Sequence, residues 1–194
     1  MGKLFYIIGQ SATGKDHIGA SLLKNEDLGL RSFVLYTTRP IRSGEREGVQ
    51  YHFTDRAGFE ALKAAGRVIE ERTYQTVQGP WTYFTVDPGV AEGTDNYLGI
   101  GTVEAYRHLH DYYGDLVIPL FISVSEENRL LRAMKRERKE AHPNFREMCR
   151  RFLADCEDFS EEKIEEAGIT RRFDNNGEIE DCVAEITAYI KERL

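Results

Sequence analysis

Apolar positions along the chain recur with two spacings, every second residue in some stretches and near every 3.6 residues in others, and the changes of spacing mark the elements. Lys3 to Ile8 is a short β-rich run, then comes a glycine-punctuated loop, and a helical pattern holds from Lys15 to about Leu23. A second β-rich stretch covers Ser32 to Thr37 and ends before Pro40; a polar loop with Gly44 and Gly48 leads to Val49–Phe53. Phe59, Leu62 and Lys63 fit a short amphipathic helix that stops at Gly66. Val68 and Ile69 open a strand, and Tyr74 to Val86 reads as a hairpin around Gly79-Pro80. Tyr97 to Ile100 is a buried-strand pattern, Val103 to His110 a helix, and Leu116 to Val124 the strongest strand of the chain. Ser125-Glu126-Glu127 caps a charged helix that His142-Pro143 breaks. One long helix is expected from about Asn144 to Ala167, a last strand near Ile169–Phe173, and a helix from about Ile179 to Leu194. Strands alternating with helices predict an α/β fold whose mostly parallel sheet is covered on both faces.

Composition narrows the class. A chain of 194 residues with 41% hydrophobic and 30% charged residues fits one globular domain with a small inserted subdomain. No apolar run approaches the roughly 20 residues of a membrane helix, and the stretch of residues 1–8 is too short for a signal peptide, so a cytoplasmic protein without a membrane partner is expected. The net charge of −7 argues against a nucleic-acid partner, which would need a basic surface. Cys149, Cys156 and Cys182 show no metal-ligand spacing and read as small packing residues in a reducing compartment. His108 and His110 are two apart, so on a helix they point to nearly opposite sides and do not share a metal.

Two segments carry chemistry. Gly9-Gln10-Ser11-Ala12-Thr13-Gly14-Lys15-Asp16 matches G-x-x-x-x-G-K between a strand and a helix. Glycines let backbone N–H groups turn inward around phosphates, the following helix adds its positive end, and Lys15 supplies a charge to the β- and γ-phosphates of ATP. Asp16 stands where a Mg²⁺-binding hydroxyl is usual; its carboxylate can serve the same ion at the cost of one more negative charge. The second segment runs from Thr37 to Phe53, and Arg39 and Arg42 within it flank a proline-stiffened turn that lets both guanidiniums grip one phosphate, with the Tyr51 phenol beside them.

That segment, T-T-R-x-x-R-x-G-E-x-x-G-x-x-Y-x-F, resembles the acceptor-binding signature of guanylate kinases, and the resemblance extends over nearly the whole chain. It implies a three-layer P-loop kinase core (about 1–36, 97–124 and 144–194), an inserted acceptor-binding subdomain (about 37–90) and a helical lid (about 125–143). By motif order, Glu70, with Glu71 as rival, sits where the family reads guanine, Tyr83 where it keeps a second phosphate-binding tyrosine, and Thr85 where a hydroxyl touches the base. Arg132 and Arg136 match two lid arginines, and Arg151, with Arg150 as rival, matches an arginine that reaches the transferring phosphoryl group. Asn175 or Asn176 matches a turn beside the adenine, unless the run is a simple turn.

The resemblance also breaks. Leu98-Gly99-Ile100-Gly101 stands where the family carries L-D-I-D, whose first aspartate works near Mg²⁺ and whose second contacts the acceptor nucleotide; Leu35 replaces a hydroxyl residue that touches guanine. Asp16 is a candidate to supply the carboxylate that Gly99 lacks. The implied reaction is Mg²⁺-dependent phosphoryl transfer from ATP to GMP or dGMP by a monomer or homodimer, placed in purine nucleotide metabolism. The rivals are a sister kinase acting on an acceptor such as ribose 1,5-bisphosphate, whose family shares the G-K-D loop, a non-catalytic binding module of the same fold, and a P-loop ATPase or GTPase switch.

Overall fold

The computed structural model describes residues 1–42, 44–76 and 79–194. Ser43 of the acceptor signature and residues 77 and 78 of the expected Tyr74–Val86 hairpin therefore lie outside the described residues.

The core is a five-stranded parallel sheet in the order β2 (Leu30–Ser32), β7 (Asn96–Gly101), β1 (Leu4–Ile8), β8 (Val117–Ser123), β9 (Arg172–Asp174). β1 is central and buried throughout, as a strand covered on both faces must be. Its alternation sorts the core into two layers. Leu4, Tyr6 and Ile8 pack with α3 (Val103–Tyr113) and with Phe159 and Ile164, while Phe5 and Ile7 pack with α1 (Lys15–Lys24) and α7 (Ile179–Lys191). Each of these apolar side chains stabilises the fold by about 1.5–3 kcal/mol when fully buried, and the split gives the expected three layers.

A second, four-stranded sheet is inserted between β2 and β7, in the order β4 (His52–Phe53), β3 (Tyr36–Thr37), β6 (Gly79–Val86), β5 (Val68–Thr76). α2 (Arg56–Ala64) covers it through Phe59, which packs on Phe84, and the Asp55 side chain caps this helix by accepting from Gly58 N–H at 2.7 Å.

Three expectations about elements are corrected. The stretch expected as one strand over Ser32–Thr37 is two, because buried Phe33 belongs to the main core and the chain then crosses to pair Tyr36 with Phe84. The hairpin does not pivot at Gly79-Pro80; these residues already pair with Thr76 and Gln75. The long helix expected over Asn144–Ala167 is α5 (Phe145–Asp158) and α6 (Glu161–Glu166), since Phe159 turns into the core and Ser160 caps a new helix by accepting from Lys163 N–H. The charged helix α4 (Glu126–Glu137) ends ahead of Pro143 and is capped by Ser125. Among the cysteines, all free, only Cys182 is buried; Cys149 is exposed and is not a packing residue.

Candidate active site

Strand β1 ends at Ile8 and delivers Gly9 to the carboxyl edge of the sheet, where ligands of open parallel sheets bind. Gly9 through Asp16 then wrap a turn into α1. Gly14 has φ 88°, a left-handed conformation, and a Cβ there would lie 2.7 Å from Asn175 Nδ2. Ala12 adopts φ 66° without being glycine, which costs about 1–2 kcal/mol. Packing from outside holds this shape. Ser11 N–H donates to Asp155 Oδ2 at 2.6 Å, Arg129 Nε donates to the Ser11 carbonyl at 3.3 Å, and Asn175 Nδ2 donates to the Thr13 carbonyl at 2.8 Å. The Thr13 hydroxyl closes the loop on the Gln10 carbonyl at 2.8 Å.

Lys15 reaches the Gln10 carbonyl at 3.2 Å. Burial pulls its ammonium below the usual lysine value; Asp16 and Asp155 work against that, and Arg136 and Arg129 add to it. A phosphate arriving beside Lys15 would supply the missing counter-charge. The loop, Lys15 and Asp16 line a cleft of roughly 1000 Å³ whose other wall carries Arg132, Arg136 and Arg151. The structure thus brings these three arginines together over the phosphate loop. Arg150 instead points to Glu147, bonding it at 2.8 and 2.7 Å, and is absent from the cleft wall. Arg132 also donates to the Asn175 carbonyl at 2.8 Å.

Asn175 and Asn176 take different places. Asn175 is buried behind the phosphate loop, whereas Asn176 Oδ1 accepts from Ser125 N–H and Asn128 Nδ2 and so fastens the start of α4. Neither is among the residues that line the cleft above the phosphate loop. Asp16 is exposed at the first turn of α1. Among the described residues no group of three or more His, Cys, Asp or Glu side chains converges as a metal cage. A Mg²⁺ that keeps waters and takes phosphate oxygens needs only one or two carboxylates, so Asp16 beside the phosphate loop fits that ion.

The small sheet carries the second cluster. Arg39 is buried and paired with Glu45 through two bonds of 2.8 and 3.0 Å, while its Nε is buried without a hydrogen bond. That carboxylate raises the Arg39 pKa, and Arg39 in turn holds the Glu45 carboxyl below its usual value. Its guanidinium lies 5.6 Å from the Tyr51 ring, which meets Tyr83 at 5.5 Å; exposed Arg42 lies over Trp81 at 5.8 Å. Arg39, Arg42, Tyr51 and Tyr83 are therefore gathered beside the middle of the β5–β6 ladder, where Tyr83 pairs with Arg72. Two rungs along from Tyr83, Thr85 donates to Glu70 Oε1 at 2.8 Å, and Glu70 Oε2 lies 3.2 Å from Arg72 Nε. Glu71 faces the other side of the sheet, bonded to Lys63 of α2 at 2.7 Å.

Sequence reasoning assigned no role to Glu45, Arg72, Arg129 or Asp155. Glu45 was visible inside the signature. Arg129 was hidden in a charged run, and nothing in its residue type separates a fully buried arginine from the solvated ones beside it.

A family model described as guanylate kinase matches residues 1–192. The protein named guanylate kinase from Neisseria gonorrhoeae is 38% identical over 125 residues, covering 61% of this chain and 58% of that one. The one from Symbiobacterium thermophilum is 39% identical over 128 residues, covering 65% and 59%. The chain thus spans less than three fifths of the length of these curated relatives. A crystal structure of guanylate kinase from Anaplasma phagocytophilum superimposes with a TM-score of 0.63 at 21% identity, covering 99% of this chain and 86% of that one, a likeness of fold.

Proposed function

Because the chain belongs to the guanylate kinase family, we propose that it transfers the γ-phosphoryl group of ATP to the phosphate of GMP, giving ADP and GDP. One observation supports this reading above the others. Next to the anion-binding cluster of Arg39, Arg42, Tyr51 and Tyr83, the same β-ladder holds a buried carboxylate, Glu70, two rungs from Tyr83. A phosphate and a hydrogen-bonding ring edge at fixed separation describe a nucleoside monophosphate.

The acceptor oxygen is already anionic near neutral pH, so the transfer needs no general base, and the work is positioning and charge neutralisation. Backbone N–H groups of the phosphate loop and Lys15 hold the ATP phosphates. Arg132, Arg136 and Arg151, on the facing wall, neutralise the charge that spreads over the transferring group. Arg39 and Arg42 orient the acceptor phosphate, with the Tyr51 and Tyr83 hydroxyls as further donors. Glu70, chosen over Glu71 for its side of the sheet, accepts from the guanine N–H edge, and Thr85 fixes the carboxylate's rotamer. Asp16 would hold Mg²⁺, which would offset the charge of the phosphates. Asn175 and Asn176 set the nucleotide cleft from behind. Residues 37–90 act as the acceptor subdomain and 125–143 as the lid, and their closure excludes water. Three free cysteines suit a reducing cytoplasm.

Incubation with ATP, Mg²⁺ and GMP followed by chromatography tests the reading. GDP and ADP formed in equal amounts support it; ADP formed without GDP makes the protein an ATPase and overturns it.

A further inference from the structure

Tyr6 is the polar exception in the buried apolar run of β1, and it is only 1% exposed. Its partner on β7 is Gly99. A Cβ at Gly99 would lie 2.6 Å from Tyr6 Cδ2 and 2.7 Å from Cε2, and one at Gly101 would lie 2.0 Å from the Tyr6 hydroxyl oxygen. No side chain fits at either position while the phenol holds this place. The two glycines are the footprint of one tyrosine, which fills the volume of two absent side chains.

The hydroxyl end is unusual in a second way. A buried phenol ordinarily finds a hydrogen-bond partner, yet burial and the charges of Arg72 and Glu70, with no hydrogen bond among the described residues, are what act on the Tyr6 hydroxyl. Two polar side-chain atoms nearby are open as well. Glu70 Oε2 and Arg72 Nε are buried without a hydrogen bond, although their charges are paired. Ile69, next to Glu70, packs into the same core cluster as Tyr6, and the charges of Arg72 and Glu70 both act on the Tyr6 hydroxyl. Arg72 and Thr102, the residue after Gly101, line a cleft of roughly 650 Å³. Buried polar atoms are nearly always satisfied, so two open ones beside a phenol hydroxyl with no bond of its own mark the place of a ligand's polar edge.

We infer that the Tyr6 hydroxyl is a specificity-determining contact of the acceptor site, hydrogen-bonding the edge of a planar base that Glu70 meets from the other side. The inference rests on the acceptor being a nucleotide, as proposed above. A neutral hydroxyl both donates and accepts, whereas a carboxylate in its place would only accept. The contact therefore suits a ring nitrogen and an exocyclic amino group alike, and it explains how the site reads a base with glycine at both 99 and 101.

Tyr6→Phe removes one oxygen and keeps the ring over Gly99. Loss of one such bond should weaken GMP binding, measured by calorimetry on the full chain, about five- to tenfold. The KM for ATP and the urea midpoint should stay unchanged. A GMP dissociation constant within twofold of the parent overturns the inference. Gly101→Ala, whose Cβ would displace the hydroxyl, should weaken GMP in the parent and add little in the Tyr6→Phe background; equal effects in both backgrounds also overturn it. If the parent neither binds nor phosphorylates GMP, the proposed function fails and takes the inference with it. If the parent binds GMP and Tyr6→Phe binds it equally well, the inference alone fails.

Discussion

Substituting Asp155 by alanine removes the carboxylate that both accepts from Ser11 N–H and faces the guanidinium of Arg129 at 3.6 Å. Arg129 is fully buried, and two of its nitrogens already lack hydrogen bonds. Removing one partner of a buried ion pair leaves an uncompensated charge and costs about 3–5 kcal/mol. Against a total stability of about 5–15 kcal/mol, that is a large fraction. The converse substitution, Arg129→Met, should cost less. Asp155 is 17% exposed, keeps its bond to Ser11 and retains access to water. Losing the stack of Arg129 on Phe152, 4.6 Å away, costs up to about 2 kcal/mol. Losing the Arg129 Nε bond to the Ser11 carbonyl costs about 0.5–1.5 kcal/mol more, and removing two unsatisfied donors returns about 1–3 kcal/mol, so the net cost stays below about 2.5 kcal/mol. The double variant, with no buried charge left, should recover at least about 2 kcal/mol relative to Asp155→Ala. Urea unfolding of the parent and the three variants, with equal m-values as the condition, measures this cycle. Asp155→Ala should also raise the KM for ATP, because Ser11 and the strained Ala12 lose their outside support. Equal costs for the two single variants, or strict additivity in the double, would refute the reasoning.

Other expectations follow from the same site. Glu70→Gln should lower kcat/KM for GMP by roughly ten- to a hundredfold while sparing the KM for ATP, because a charged hydrogen bond contributes about 1.5–3 kcal/mol; an unchanged GMP constant in steady-state assays would contradict it. Glu45, whose carboxyl is held low by Arg39, contributes stability that is complete above pH 4.5, its unfolded value, and is lost as pH falls through the lower folded value. Urea midpoints of Glu45→Gln should accordingly fall less steeply than those of the parent below pH 4.5. Lys15 has a lowered pKa and must be protonated to meet phosphate, so ATP binding should take up more protons as pH rises through that value, measured by calorimetry in buffers of different ionisation enthalpy. Asp16→Ser should raise the Mg²⁺ concentration needed for half-maximal rate; an unchanged Mg²⁺ dependence removes Asp16 from the metal site.

Much of this site was legible in the sequence because phosphate recognition is local. Gly9 to Asp16 must form a strand–loop–helix turn wherever they occur, and Thr37 to Phe53 carry their arginines and tyrosine on one short segment. Period alone separated the strands and helices of the core, where burial is complete. Period failed where a single stretch serves two sheets, as at Phe33 and Tyr36, and where a buried aromatic ends a helix, as at Phe159. Tertiary pairings were out of reach for a different reason. The choice of Glu70 over Glu71 depends on which face of β5 meets α2, and the choice of Arg151 over Arg150 on a turn of α5. The departures at Gly99 and Gly101 looked in the sequence like two separate losses. Only the neighbouring strand shows that Tyr6 accounts for both.

The central claim is that this site phosphorylates a guanine nucleotide without the two aspartates. Its most direct test is a coupled ADP-release assay with Mg²⁺-ATP against GMP, dGMP, AMP, CMP, UMP and ribose 1,5-bisphosphate. Selective turnover of GMP and dGMP is expected, with kcat/KM at least about an order of magnitude above any other acceptor. Preferred turnover of ribose 1,5-bisphosphate, or no turnover of any acceptor while ATP still binds, would contradict it.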